Sequence, residues 1–361
     1  MVQLYKIYNE KTNREEVVFE LTDRQYPYVK SRGNYLIFKS YFKYLTKISK
    51  SKEIIATDFK ALDDALNGGL RPGLYVFGAN PGLGKTSLML HLALNLALKN
   101  VYVLYFNLEM EPALIASKII SNYYYRKSKE DESFKALTLS ELMPKKPSLD
   151  LSKYIKEELG EKNLVSLNEL IHKYILFMNK SEDNDISYVE SVGVALKNSK
   201  DVLKITPVVI IDFLQLLKLS PVYNDTDNEI TNARQLADRR LEMNDIIDQL
   251  HNYSRVYNVP IILISSLSRG AYTKDSDEIN EYSMASFKET GNIEYTADFL
   301  SILTKNDIDD LSPEDNKEVV LTVLKNRFGP PMQKVYFNFL PEYCFFEQLD
   351  GYEDDEEDDE D

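Results

Sequence analysis

The stretch that most constrains what this chain can fold into is LYVFGANPGLGKTSL, residues 74–88. Its apolar beginning, Leu74–Phe77, predicts a buried strand. A glycine-bearing loop from Gly78 to Thr86 follows, and then an apolar helix from Ser87 to about Leu98. A strand, a loop ending in Gly-Lys-Thr and a helix, in that order, predict a phosphate-binding P-loop.

The P-loop pattern predicts a role for each of its residues. Glycines let backbone N–H groups converge on phosphate oxygens, and the helix N-terminus adds a positive dipole end. Lys85 is expected to reach the β- and γ-phosphates, and the Thr86 hydroxyl to ligand Mg²⁺. One position departs from the usual pattern, because Ala79 occupies the first glycine site and Gly78 precedes it. The predicted nucleotide contacts are Ala79, Asn80, Pro81, Gly82, Leu83, Gly84, Lys85, Thr86 and Ser87.

Composition excludes few function classes. The single cysteine, Cys344, rules out a disulfide framework and a cysteine metal cluster. The net charge is −15, but the acidic tail Glu353–Asp361 supplies nine of these charges and leaves −6 for the rest. The overall charge therefore does not exclude DNA binding. The tail is expected to be disordered, either as a solvated end or as a nucleic-acid mimic or partner hook.

The sequence predicts three regions and a cytoplasmic protein. Residues 1–50 form a small β-rich extension with a helix near Ser40–Ser49, residues 51–350 form the core, and 351–361 form the disordered tail. Apolar runs do not approach the roughly 20 residues of a membrane span. The beginning of the chain lacks the apolar stretch of a signal peptide, so no membrane partner is expected.

The core is predicted to be an α/β fold with a mostly parallel sheet flanked by helices. Buried strands alternate with helical stretches, one of which runs from about Ala233 to Tyr257. Residues 111–205 are expected to be mostly helical and charged. The predicted strands are Leu74–Phe77, Val101–Phe106, Pro207–Asp212, Val259–Ser266, Phe299–Leu303, Val319–Lys325 and Lys334–Leu340.

Two carboxylates follow buried strands. Ligands bind at the carboxyl ends of the strands in an open α/β sheet, so Asp212 is a candidate Mg²⁺ ligand of the Walker B type. Its alternative role is a helix N-cap. Glu109 is a candidate to activate water for attack on the γ-phosphate. Its alternative role is a surface glutamate that caps the next helix.

Five further motifs resemble those of the DnaB-like replicative helicases. Together with the P-loop they span roughly residues 55–345. They are Asn107-Leu108-Glu109-Met110, similar to S-L-E-M; Ile211-Asp212-Phe213-Leu214-Gln215, similar to I-D-Y-L-Q; Ser266-Leu267-Ser268-Arg269, similar to S-Q-L-x-R; residues 287–298, similar to L-R-E-S-G-x-I-E-Q-x-A-D; and residues 324–330, similar to K-x-R-x-G-P.

The resemblance implies a RecA-like ATPase core that works as a ring, usually a hexamer, with ATP and Mg²⁺ between subunits. It implies that Glu109 is the catalytic base and that Lys325 and Arg327 act in a neighbour's site, the alternative being two surface basic residues. It implies that Lys288, Glu289 and Gly291 track single-stranded DNA, the alternative being a plain loop. The implied partners are single-stranded DNA, further copies of the chain, and a replication or loader protein.

The first two motifs are more widely spaced than in the family, so residues 111–205 are expected to hold an insertion. Two other departures from the family pattern, together with the acidic tail, favour a second interpretation. Ser266 replaces the glutamine that senses the γ-phosphate. Residues 1–50 are too short for the family's helical N-terminal domain, as expected for a phage or mobile-element type. The alternative is a KaiC- or RadA-like ATPase that acts as a switch or scaffold without unwinding DNA. A third interpretation, with less support in the sequence, is a protein that coats single strands in recombination.

Overall fold

The computed structural model describes residues 3–9, 14–20, 54–143, 151–180, 185–220, 239–267, 287, 293–306 and 318–349. The chain divides into two compact units, Met1–Ile54 and Ile55–Asp361. In the first unit, strands β1 (Gln3–Asn9) and β2 (Arg14–Glu20) pair as an antiparallel hairpin. The helix predicted near Ser40–Ser49 and the acidic tail lie outside the described residues.

The second unit alternates strands and helices along most of its length. Its strands are β3 (Gly73–Ala79), β4 (Val103–Asn107), β5 (Ile175–Asn179), β6 (Val208–Asp212), β7 (Pro260–Ser266), β8 (Phe299–Lys305), β9 (Glu318–Asn326), β10 (Lys334–Leu340) and β11 (Phe345–Gln348). Its α-helices are α1 (Lys60–Ala65), α2 (Lys85–Leu98), α3 (Pro112–Glu130), α4 (Leu139–Leu142), α5 (Leu151–Leu159), α6 (Glu161–Tyr174), α7 (Val189–Asn198), α8 (Arg239–Tyr257) and α9 (Ile293–Thr296). A π-helical turn, Ser199–Leu203, and 3₁₀ turns at Leu214–Leu216 and Pro341–Tyr343 complete the described elements.

The nine strands form one sheet in the order β11-β10-β9-β8-β3-β7-β6-β4-β5. From β8 to β5 all neighbours are parallel, and β9, β10 and β11 are added antiparallel at the other edge. The predicted α/β class with a mostly parallel sheet is confirmed. The P-loop strand β3 lies at the centre, between β7 and β8.

Successive residues of the central strands face two separate apolar cores, as the two-residue period of a strand requires. In β3, Tyr75 and Phe77 belong to the core that α2, α3 and α6 cover, whereas Leu74 and Val76 belong to the core that α7 and α8 cover. All seven residues of β3 are buried. Burial on both faces explains why these strands are continuous apolar runs and were recognisable in the sequence.

Residues 111–205 are mostly helical, as predicted. The prediction missed one strand in this segment, β5, which pairs in parallel with β4 and forms one edge of the sheet. β5 was missed because its short apolar run, Ile175–Met178, directly follows helix α6, so the sequence pattern does not separate the strand from the helix. The strand β11 was also missed, and it pairs with β10 at the opposite edge.

No helix in the described part of the chain combines the length and the apolar character that a membrane span requires.

The central strands should dominate the free energy of unfolding. Leu263, in β7, is fully buried, whereas Leu241, in α8, is 58% exposed. We expect Leu263→Ala to lower the free energy of unfolding by about 2–5 kcal/mol, because it leaves a cavity between packed layers. The matched change Leu241→Ala should stay within about 0.5 kcal/mol of wild type. Urea unfolding of both variants measures the difference, and equal effects would contradict this core assignment.

Candidate nucleotide-binding site

The P-loop joins the central strand β3 to helix α2 at the carboxyl edge of the parallel strands. Gly82 and Gly84 have φ values of 86° and 81°, a left-handed conformation that side chains with a Cβ rarely adopt. Helix α2 begins at Lys85, two residues earlier than predicted, and Gly84 is its N-cap without a capping side chain. The first N–H groups of an α-helix lack intrahelical partners, so this end can receive an anion.

The structure explains the departure at the first glycine of the motif. Gly78 and Ala79 belong to strand β3 rather than to the loop. A Cβ on Gly78 would come within 2.5 Å of the Phe287 ring, so glycine is required there for packing. Ala79 is buried in extended backbone between Ser266 and Leu303, where a methyl group is accommodated.

Lys85 lies against the loop it is predicted to complete. Its Nζ donates a hydrogen bond to the carbonyl of Ala79 at 2.7 Å. Burial lowers the pKa of Lys85, while the charges of Glu109 and Asp212 act in the opposite direction. The structure therefore brings Lys85, Glu109 and Asp212 within electrostatic reach of one another.

Asp212, the last residue of β6, is a buried carboxylate with two hydroxyl donors. Tyr105 Oη donates to its Oδ2 at 3.1 Å, and the Thr86 hydroxyl also donates to it. Burial raises the pKa of Asp212, and the bonds from Thr86 and Tyr105 oppose that shift. Phe213, not Asp212, is the N-cap of the following 3₁₀ turn, so the alternative role of helix cap is wrong.

Glu109 lies on an exposed turn just after β4. Asn107 shapes this turn, because its Oδ1 accepts from the Met110 N–H at 3.0 Å and its Nδ2 donates to the Met110 carbonyl at 2.6 Å. The same Nδ2 also donates to Asn179 Oδ1 at 2.8 Å, at the end of β5. Helix α3 has Glu111 as its N-cap, so Glu109 does not cap it.

Ser266 ends β7 in register with Ala79 of β3, at the level where the P-loop begins. Its backbone N–H donates to Gln215 Oε1 at 3.2 Å, and Gln215 Nε2 donates to the Ser266 carbonyl and, at 3.0 Å, to Ser265 Oγ. The amide of Gln215 thus joins the ends of β6 and β7 beside the residue that stands where the family has glutamine.

The two predicted trans-acting cations lie near the amino ends of the parallel strands, at the end of the sheet opposite to the P-loop. Asn326, the last residue of the antiparallel strand β9, pairs with Phe299 at the start of β8. Lys325 Nζ donates to the carbonyls of Glu294 and Tyr295, at 2.7 and 3.0 Å. Arg327 Nη1 donates to Asp298 Oδ1 at 2.9 Å. The length of β3 separates these cations from the P-loop of their own chain.

The predicted DNA-contacting residues Lys288, Glu289 and Gly291 lie outside the described residues, as does Arg269 of the third resemblance motif. Sequence reasoning assigned no role to five side chains that support the site: Tyr105, Asn107, Asn179, Gln215 and Asp298. Asn107, Gln215 and Asp298 stood inside recognised motifs, which was a usable signal. Tyr105 and Asn179 gave none, since their contacts depend on how neighbouring strands are paired.

The donor set fits a magnesium nucleotide. Mg²⁺ is usually held by one or two carboxylates together with substrate phosphates, and Asp212 and Thr86 supply one carboxylate and one hydroxyl. In the described part of the chain no group of three or more histidine, cysteine, aspartate or glutamate side chains is placed to hold a metal alone. An uncapped helix start, two left-handed glycines and Lys85 fit the phosphates of the nucleotide.

This fold and site define a RecA-like protein with a P-loop. Residues 55–348 match the family model of the DnaB-like helicase C terminal domain, and the chain belongs to that family.

Curated relatives share about a quarter of their residues with the chain. The Replicative DNA helicase DnaC of Bacillus subtilis (strain 168) is 25% identical over 302 residues, which are 83% of this chain and 58% of the relative. The Probable plasmid replicative DNA helicase of Chlamydia trachomatis is 27% identical over 299 residues, 81% of this chain and 54% of the relative. The chain therefore spans little more than half the length of these relatives.

Solved structures confirm the fold. A solved ATPase domain superposes with a TM-score of 0.61 at 20% identity, covering 88% of this chain and 100% of that domain. A DnaB-like replicative helicase, described together with its interactions with primase, superposes with a TM-score of 0.65 at 20% identity, covering 87% of this chain and 68% of that one.

The P-loop glycines should differ in how well they tolerate a side chain. A Cβ on Gly84 would lie 2.5 Å from the Phe339 ring, whereas a Cβ on Gly82 would meet no atom of the described residues within 4 Å. Both alanine substitutions impose left-handed strain of about 1–2 kcal/mol, and Gly84→Ala adds about 1–3 kcal/mol of overpacking. Thermal and urea unfolding should therefore show Gly84→Ala as the less stable variant. A more stable Gly84→Ala would contradict the loop geometry.

Tyr105 should affect Mg²⁺ binding at the candidate site through its bond to Asp212. We expect Tyr105→Phe to weaken Mg²⁺ binding about 10- to 100-fold, as loss of a partner that orients a metal ligand commonly does. Calorimetric titration of a non-hydrolysable ATP analogue across a range of Mg²⁺ concentrations measures this. The matched control is Tyr75→Phe, because the Tyr75 hydroxyl bonds to the backbone of Arg71 at the far end of β3, away from Asp212. Equal Mg²⁺ dependence in both variants would contradict the assignment.

Proposed function

We propose that this protein is an ATP-driven helicase or single-stranded DNA translocase of the DnaB type, which hydrolyses ATP between the subunits of a ring during DNA replication. Family membership supports this function. The observation that argues most directly for it is the placement of Lys325 and Arg327. They lie at the amino edge of the parallel strands, while the P-loop lies at the carboxyl edge.

In this proposal the chain's own site binds the nucleotide and prepares hydrolysis. Lys85 binds the β- and γ-phosphates, and Thr86 and Asp212 hold Mg²⁺, which neutralises charge on the phosphates. Glu109, on the turn that Asn107 fixes, accepts a proton from the attacking water. Ser266 ends β7, the strand between β3 and β6, and its N–H donates to Gln215.

The site still needs cations on the side of the γ-phosphate away from Lys85, because charge builds up on the transferred group in the transition state. Lys325 and Arg327 cannot supply them within one chain. From Leu74 to Ala79 strand β3 covers about 17 Å at 3.3 Å per residue. A head-to-tail interface that closes into a ring would place the amino edge of one copy against the carboxyl edge of the next. A hexamer is the size we propose.

The DNA-binding proposal concerns the segment just before α9. Lys288, Glu289 and Gly291 would contact the backbone of single-stranded DNA without reading sequence. Helix α9 follows directly, and its Glu294 and Tyr295 carbonyls accept hydrogen bonds from Lys325 and Arg327. A shift of the DNA-contacting segment would thus reach the cations that complete the neighbouring site. A replication or loader protein that places the ring on DNA is part of this proposal.

Mixing two inactive variants tests the shared site. Lys85→Ala removes a subunit's own phosphate contact and leaves its Arg327, whereas Arg327→Ala does the reverse. Each variant alone should lose at least about 100-fold in ATP turnover, since a trans arginine contributes on the order of 10³-fold or more. Co-assembled rings should regain turnover wherever an intact site adjoins an intact arginine. Mixed assemblies that stay as inactive as either variant would refute the shared site.

DNA should stimulate ATP turnover through the proposed loop. We expect Lys288→Ala to abolish only the DNA-stimulated part of the rate and to reduce the salt dependence of DNA binding, because one phosphate contact is lost. The matched control is Lys197→Ala, an exposed lysine of α7. ATPase assays with and without single-stranded DNA at two salt concentrations measure both effects. Turnover indifferent to DNA in wild type would favour a nucleotide-dependent switch.

A further inference from the structure

Asp298 joins the strand that carries the P-loop to the residue proposed to act in the neighbouring site. Its Oδ2 accepts from the Leu74 N–H at 2.9 Å, and its own N–H donates to the Leu74 carbonyl at 2.9 Å. On its other side, Oδ1 accepts from Arg327 Nη1 at 2.9 Å, and the Asp298 carbonyl accepts from the Arg327 N–H at 2.9 Å. Both the backbone and the side chain of Asp298 thus bridge β3 and the end of β9.

The carboxylate of Asp298 is ionised in this position. Burial acts to raise its pKa, but the contact with His251, the bond from Leu74 and the charge of Arg327 hold the pKa below its usual value. His251 Nε2 lies 3.2 Å from Oδ2. A buried negative charge next to Arg327 therefore persists at neutral pH, and it fixes one nitrogen of the guanidinium.

These contacts hold the Arg327 guanidinium without occupying all of its N–H donors. Nη2 donates to the Tyr295 carbonyl at 3.0 Å, and the side chain remains 44% exposed. A guanidinium has five N–H donors in a rigid fork, so two bonds leave further donors for another partner. An arginine held by Asp298 loses less rotamer freedom when it meets a phosphate than a free arginine does.

We propose that Asp298 is a positioning residue for the trans arginine: it holds the Arg327 guanidinium in register with strand β3, so that the arginine is presented to the neighbouring subunit already oriented. The inference rests on the proposed function, because it requires Arg327 to act in another copy's site. Asp298 touches no nucleotide in this account. It acts through Arg327 alone.

A purely structural role is the competing explanation, since Asp298 is buried and bonds to the start of β3. The two roles differ in which subunit needs the residue. A positioning residue matters only in the subunit that donates Arg327. A structural residue matters equally in the subunit that donates the P-loop.

The test adds Asp298→Asn to one of the two inactive variants before they are co-assembled into rings. In the first assembly the substitution accompanies Lys85→Ala, in subunits that still donate Arg327. In the second it accompanies Arg327→Ala, where no arginine remains to be positioned. We expect turnover to fall about 10- to 100-fold in the first assembly, as for misplacement of a catalytic group by about 1 Å, and to stay within about twofold of the parent mixture in the second.

Rings made wholly of Asp298→Asn subunits give a second readout. Their kcat for ATP should fall while the KM stays unchanged, because the P-loop of each subunit is intact. Thr296→Val is the control: Thr296 lies on the same short helix as Tyr295, and its hydroxyl bonds to Asp248 rather than to Arg327. That change should leave both constants unaltered.

The outcomes separate the inference from the function on which it rests. Equal losses in the two assemblies, or no loss in the first, would overturn the positioning role while leaving the shared site standing. Failure of the parent mixture of Lys85→Ala and Arg327→Ala to regain turnover would overturn the shared site itself, and with it this inference.

Discussion

The direction of the six parallel strands is the constraint on which the rest of the structure depends. Parallel pairing from β8 to β5 brings the ends of β3, β4, β6 and β7 to one edge of the sheet. Lys85, Glu109 and Asp212 meet there because Asp212 ends one of these strands and the other two residues follow one. Antiparallel addition of β9 has the opposite effect and carries Lys325 and Arg327 to the far edge. In the proposed function, one sheet thus presents half of a hydrolytic site at each end of its parallel strands.

At the carboxyl edge, burial and hydroxyl donors determine the charge state of Asp212. Asp212 is almost fully buried, and its charge is supported by hydrogen bonds from Thr86 and Tyr105 and, more weakly, by the charge of Lys85. Lys85 rests on the Ala79 carbonyl, a contact that a phosphate can replace. The amides of Asn107 and Gln215 hold the turns that follow β4 and β6. Together these contacts keep the polar groups in place around the P-loop.

The sequence allowed the core of the fold and most of the site to be predicted, because strands buried on both faces are continuous apolar runs and P-loop chemistry has a fixed spacing. Strand β5 could not be recognised, since its short apolar run directly continues the sequence of helix α6. The bonds from Tyr105 to Asp212 and from Asn107 to Asn179 cross between strands, so strand order had to be known first. The role of Arg327 was implied by resemblance, but its contact with Asp298 follows only from the pairing of β8 and β9.

The central claim is that one chain holds only part of its hydrolytic site. ATP turnover per subunit, measured across protein concentrations with the mass followed by light scattering, tests this most directly. The account predicts that turnover rises with the fraction of chains in ring-sized assemblies and falls toward zero in dilute monomers. A monomer that turns over ATP as fast as the assembly does would contradict it.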